Sequence, residues 1–130
     1  MKNLYIDTNA IVSYLLERDK KQADLVDKFL LDAQEGRLTV TVIPEVIIEA
    51  IYVLQQHYNV EKYKACDLLK DFISTGFLNV ENRNIIIQAL DIHKFNSFGL
   101  LDSYLYSLAK SKSAEVFSFD KDLEKLRRRV

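Results

Sequence analysis

Residues 5–16 read YIDTNAIVSYLL, and this stretch decides the fold. Residues 3–7 form a mostly apolar run closed by an acid, the pattern of a short buried strand ending on Asp7. Thr8 or Asn9 can cap the helix that follows, whose core positions are Ile11, Val12, Leu15 and Leu16. A strand feeding directly into an amphipathic helix is the first half of a β-α unit. It leaves Asp7 at the carboxyl end of the strand.

Outward from this start the same grammar repeats. Residues 21–35 have helical spacing, with Ala23, Val26, Leu30 and Ala33 inward and Gly36 as the stop. Residues 38–42 alternate and are β-branched, so they predict a second strand. Pro44 suits the first turn of a helix that runs through Glu45 and Glu49 to about Tyr58. Residues 60–75 predict another helix, ended by Gly76, and residues 77–80 a short strand. Two more helices over 85–95 and 101–110, a strand over 116–119 and a short helix or turn from Asp120 complete the pattern. The order β-α-α-β-α-α-β-α-α-β-α implies a mainly parallel sheet covered on both faces by helices. Ligands of such sheets gather beyond the carboxyl ends of the strands, where Asp7 and Asp120 are both expected.

The chain has 130 residues, the size of a single domain over 1–130, long enough to bury about two-thirds of its unfolded surface. One cysteine excludes an intrachain disulfide and any Cys-rich zinc site, and Cys66 falls at core spacing with Leu69 and Ile73. No apolar run reaches the roughly 18 residues of a membrane span, and the alternating start is unlike a signal peptide. A cytoplasmic location without membrane contact is expected. The net charge is −1. With four acids gathered at one cation site, the remaining 18 basic and 15 acidic side chains leave the outer surface at +3, which permits attraction of phosphate.

Those four acids are Asp7, Glu49, Asp102 and Asp120. Each interrupts an apolar context: LYID, VIPEVIIEAIYVL, GLLDSYLYSLA and VFSFD. Two carboxylates about 6 Å apart repel by roughly 2–3 kcal/mol at an effective dielectric near 20. A hard divalent cation such as Mg²⁺ or Mn²⁺ relieves that repulsion. Each acid also has a plainer reading. Asp7 or Asp102 can cap a helix, Glu49 can be a solvated helix residue with Glu45 one turn earlier as the ligand instead, and Asp120 with Asp122 can form an Asx turn.

At these residues the chain resembles the PIN-domain family, and especially its VapC-like toxin ribonucleases. YIDTNAIVSYLL is similar to the family's opening strand, acid, Thr/Ser, Asn and helix; VIPEVIIEAIYVL to the segment carrying the second acid; LLDSYLYSLAKS to the third-acid helix; and VFSFDKDLEKL to the closing motif, with Ser118 in place of Thr. The resemblance covers nearly the whole chain. It implies an α/β/α sandwich and an Mg²⁺- or Mn²⁺-dependent endoribonuclease with Asp7, Glu49, Asp102 and Asp120 as metal ligands. It also implies that Thr8 and Asn9 orient carboxylates or water, with Ser118 in support, and that the protein dimerises and meets a VapB-type antitoxin. The chain departs from the family in ending KLRRRV, where members often continue into a further strand.

Other residues give weaker signals. Arg127, Arg128 and Arg129 could hold RNA phosphate or form a solvated tail. His57 and His93 lie in predicted helices without a paired serine and read as structural. Tyr104 and Tyr106 read as core or partner contacts before RNA-stacking groups. Ile51, Tyr52, Leu54, Tyr58 and Tyr63 exceed what one small sheet is expected to cover, which favours self-association into a homodimer. A haloacid-dehalogenase-type phosphatase also opens on a strand-end Asp, but it needs a second acid two residues later, where this chain has Asn9. The alternatives that remain are an RNA-processing nuclease without an antitoxin and a catalytically silent PIN binding module.

Overall fold

The computed structural model describes residues 1–121; Arg127, Arg128, Arg129 and Asp122 lie outside the described residues. The elements are β1 (Lys2–Tyr5), α1 (Thr8–Leu16), α2 (Lys20–Gln34), β2 (Leu38–Val42), α3 (Pro44–Gln56), α4 (Lys62–Ile73), β3 (Asn79–Val80), α5 (Arg83–Phe95) and α6 (Leu100–Ser111). The three strands form one parallel sheet in the order β1-β2-β3, with Tyr5 opposite Thr41 and Thr41 opposite Asn79. Each pair of strands is joined by two helices, the connection length that parallel pairing requires. The fold is therefore of the expected α/β/α, PIN-like class. The chain divides into two compact units, Met1–Arg83 and Asn84–Val130.

In the first unit β2 is the central strand. Its sequence LTVTV alternates without interruption, and Leu38, Val40, Thr41 and Val42 are buried. Leu4, Ile6 and Val40 line one wall of an apolar cleft whose other wall is Val26, Phe29 and Leu30 of α2. The opposite sheet face is polar. The Thr41 hydroxyl donates to Asn3 Oδ1 at 2.8 Å and accepts from Asn79 Nδ2 at 3.1 Å, so one hydrogen-bond chain crosses all three strands. Expectation and structure differ at β1. It ends at Tyr5, not Asp7, and Lys2, Asn3 and Tyr5 are exposed, because β1 is at the sheet margin.

The helices follow from spacing and punctuation. In α3, Pro44 occupies the first turn, where its missing N–H costs nothing, and Ile47, Ala50, Ile51 and Leu54 turn inward at i, i+3, i+4 and i+7. In α4 the buried stripe is Ala65, Cys66, Leu69, Phe72 and Ile73, so Cys66 is a core residue as expected. Full burial of a leucine such as Leu54 or Leu69 contributes roughly 1.5–3 kcal/mol. Beyond α2, Gly36 has φ +79°, a left-handed turn that residues with a Cβ rarely adopt. Arg83 ties down the loop before β3, donating to the carbonyls of Ile73, Thr75 and Leu78 at 2.9, 3.1 and 2.6 Å.

In the second unit, α5 buries Ile86, Ala89, Leu90 and His93, and α6 buries Leu100, Ser103, Tyr106 and Ser107. His93 Nδ1 lies 2.6 Å from the Phe98 carbonyl and bonds the turn between the helices, the structural role expected of it. Phe98 and Tyr106 form a small core with Ile92 and Val116. The expected strand over 116–119 is absent. Residues 114–118 carry no regular structure, and Phe117 and Phe119 are 86% and 92% exposed, their rings meeting edge to face at 5.3 Å. A strand exists through its ladder, and this segment has the side chains of a strand without a partner for its backbone.

Candidate active site

Asp7 lies two residues past the end of β1. Its backbone is still extended (φ −94°, ψ 173°), so the helix begins at Thr8 and Asp7 is the N-cap, a role the sequence offered to Asp7 as well as to Thr8 or Asn9. One carboxylate oxygen, Oδ1, accepts from the Ala10 N–H at 2.9 Å. The other makes no hydrogen bond among the described residues. The side chain is exposed and stands at the positive end of the helix dipole. Capping and ligation therefore do not compete, because one oxygen holds the helix while the second points a full hard-donor lone-pair set at solvent. Thr8 is buried at the first helical position and Asn9 is exposed.

Glu49 is on α3, exposed between buried Ile47 and Ala50. α1 packs against α3, so the helix that Asp7 caps and the helix that carries Glu49 are neighbours within the first unit. Glu45, one turn earlier, is exposed as well, and the two differ in placement by that single turn.

In the second unit Asp102 is half-buried in the first turn of α6. The cap of that helix is Gly99, not Asp102, and Gly99 offers no side chain to the free N–H groups. The Ser103 N–H and hydroxyl both donate to the Gly99 carbonyl, at 3.0 and 2.9 Å. Asp102 is thus left at the positive end of a helix with its carboxylate uncommitted to capping. Asp120 is exposed in the segment after α6, and its N–H donates to the Ser118 hydroxyl at 2.9 Å. Ser118 accordingly orients the Asp120 backbone.

Asp7 and Glu49 thus belong to one unit, and Asp102 and Asp120 to the other. Among the described residues no three His, Cys, Asp or Glu side chains are gathered into a metal-holding group. The donor set itself suits Mg²⁺ or Mn²⁺. All four are carboxylates, and Asp7 keeps an open oxygen beside a capped helix. Of the other sequence candidates, Ile51, Leu54 and Tyr106 are core residues, whereas Tyr52 and Tyr63 are 59% and 56% exposed. Tyr58 is half-buried, with the Arg18 guanidinium over its ring. Sequence reasoning passed over Tyr5 and the Asn3–Thr41–Asn79 chain, because an aromatic inside a strand reads as core.

A family model described as PIN domain matches residues 4–129. The chain belongs to the PIN domain family. It is also similar to a VapC ribonuclease of Aquifex aeolicus, 25% identical over 122 residues that cover 93% of this chain and 90% of the relative. No solved structure matches it. The PIN match spans both compact units. Among the described residues no helix is long and apolar enough to cross a membrane.

Proposed function

We propose that this PIN protein is a metal-dependent endoribonuclease of the VapC type, acting in the cytoplasm as the toxin of a toxin–antitoxin pair. The observation that carries the reading is Asp7, an exposed carboxylate beyond a parallel strand, in a chain whose family match runs from residue 4 to residue 129. The VapC ribonuclease relative supports RNA as the substrate. Asp7, Glu49, Asp102 and Asp120 are the residues that would hold Mg²⁺ or Mn²⁺.

The bound cation would lower the pKa of a water, polarise the phosphoryl group and neutralise the leaving oxygen. The chain supplies the rest. Asp7 holds its carboxylate rigid through the Ala10 cap, so one oxygen is presented in a fixed direction. Asp102 contributes charge at a helix start, and Ser118 fixes the turn that presents Asp120. No protein nucleophile is required. An antitoxin of the VapB type would have to cover this site, and exposed Tyr52 and Tyr63 favour a homodimer.

The test is cleavage of unpaired RNA. Purified protein should cut within the strand in Mg²⁺ or Mn²⁺ and stop in EDTA, and fragments should map to internal bonds. Cutting that persists in EDTA would reject the metal mechanism. Saturable RNA binding with no cutting in either metal would favour the silent binding module.

A further inference from the structure

We infer that the outer edge of β1, with the apolar cleft beside it, is a docking site for an extended peptide strand of a partner protein. Among the described residues β1 pairs with β2 alone and stands at the margin of the sheet. Tyr5 lies opposite Thr41, and the Ile6 N–H donates to the Thr41 carbonyl at 3.1 Å. In a parallel ladder that register commits the backbone groups of Leu4 and Ile6 to β2 and turns the N–H and C=O of Asn3 and Tyr5 to the outer edge. The outward groups recur every two residues, about 6.6 Å apart, the repeat of an incoming strand. Edge strands are commonly guarded by proline or by several charges, whereas β1 reads KNLY, with one charge and no proline.

The side chains next to this edge suit the same occupant. A cleft of about 320 Å³ is lined by Leu4, Ile6, Val26 and Phe29, and two further lining residues, Tyr5 and Leu25, are 65% and 54% exposed. A strand added to β1 carries every second side chain to the face where Leu4 and Ile6 line the cleft. The walls are largely hydrocarbon, so an apolar side chain gains there by burial, whereas a nucleobase would lose water from its polar edge without replacement. Charge fixes the two ends. Lys2 is exposed at the start of β1, and Asp7, just past its end, keeps one carboxylate oxygen free of hydrogen bonds among the described residues. The complementary segment alternates apolar and polar residues, with an acid at the end beside Lys2 and a base at the end beside Asp7. Strand addition of this kind takes affinity from main-chain hydrogen bonds and selectivity from alternate side chains.

The probe is a capped, fluorescein-labelled peptide in which valine and threonine alternate between an arginine at the amino end and a glutamate at the carboxyl end. That order matches Asp7 and Lys2 in antiparallel pairing, the slightly more stable of the two ladders. Anisotropy titration in EDTA, without RNA, should show saturable binding to the wild-type chain. Docking needs neither metal nor cleavage, so its failure and the failure of the nuclease reading are read separately. Methylating the alternate amide nitrogens that face β1 should weaken binding about tenfold or more, and methylating the other set should leave it within about twofold. Leu25→Asp should weaken binding to a similar degree with a melting temperature near wild type, because Leu25 is exposed. Asp7→Asn should erase the advantage of the arginine peptide over its glutamine analogue. Absence of saturable binding, equal loss from both methylated sets, or wild-type affinity in Leu25→Asp would overturn the strand site. Displacement of the peptide by oligouridine would assign the cleft to RNA, and a dimer split by Leu25→Asp in the absence of peptide would assign it to a second copy; either result overturns the inference.

Discussion

Two segments of this chain have the same design, and they fold differently. LYID at residues 4–7 and VFSFD at residues 116–120 each run apolar side chains into a terminal acid. The first pairs with β2, and its acid caps a helix. The second forms no ladder, exposes both phenylalanines, and holds its acid by a two-residue turn through Ser118. Local sequence makes a strand possible, and a partner backbone makes it real. The first segment is followed by a β-branched partner at residues 38–42, whose buried face it can extend. The second has helices α5 and α6 as its nearest neighbours in sequence.

The largest contrast should appear in stability. Leu54→Ala, in the fully buried stripe of α3, should cost about 2–5 kcal/mol in urea unfolding, whereas Phe119→Ser at 92% exposure should stay within about 0.5 kcal/mol. A Phe119→Ser cost as large as that of Leu54→Ala would mean that the second segment is packed in solution and would break the comparison.

A smaller effect separates the two acids. In EDTA, Asp7→Ala should cost about 1 kcal/mol through loss of the Ala10 cap, and Asp7→Asn should cost little because asparagine caps equally well. Asp7→Asn should even gain slightly if it relieves repulsion among the carboxylates. Asp120→Ala should keep the Ser118 bond, since that bond is made by its backbone. Thermal melts of the three variants check this directly.

How far the fold was legible follows the same line. β2 fell on residues 38–42 as expected, because its alternation is complete and both its neighbours pair with it. Gly36 and Pro44 punctuated α2 and α3 where conformational limits require them. The end of β1 was not legible, because it depends on where extended backbone gives way to helix, and that same boundary chose Asp7 among the three caps the sequence offered, Asp7, Thr8 and Asn9. The absent strand over 116–119 is a question of pairing, which no window of residues contains. For the site, an acid after an apolar strand could be read at Asp7. The half-buried state of Asp102 and the cap at Gly99 could not, since both come from packing. Tyr5 was hidden because strand aromatics are read as core, and its exposure goes with the place of β1 at the sheet margin.

The smallest expected effect concerns one tyrosine from each unit. Tyr14 has its pKa raised, chiefly by burial and then by the carboxylates of Asp27 and Glu17; Tyr106 has its pKa raised by burial. A raised phenol favours the neutral form in the folded state, so its stabilisation is full below the ordinary tyrosine pKa, about 10, and is lost as pH rises through the folded value. Stability should therefore decline on the alkaline side, and both Tyr14→Phe and Tyr106→Phe should flatten that decline. Salt should weaken the Tyr14 contribution, because part of it is coulombic, and leave the Tyr106 contribution unchanged. Equal salt dependence in the two variants would show that the surroundings of the two phenols do not differ as described.

The central proposal is that Asp7, Glu49, Asp102 and Asp120 each contribute to holding the cation. Titration calorimetry with Mn²⁺ on the wild-type chain and on Asp7→Asn, Glu49→Gln, Asp102→Asn and Asp120→Asn tests it most directly. The account predicts a weakening of about tenfold or more in each of the four variants, with the fold retained by circular dichroism. Wild-type affinity in Asp102→Asn and Asp120→Asn, with loss confined to Asp7→Asn and Glu49→Gln, would contradict it.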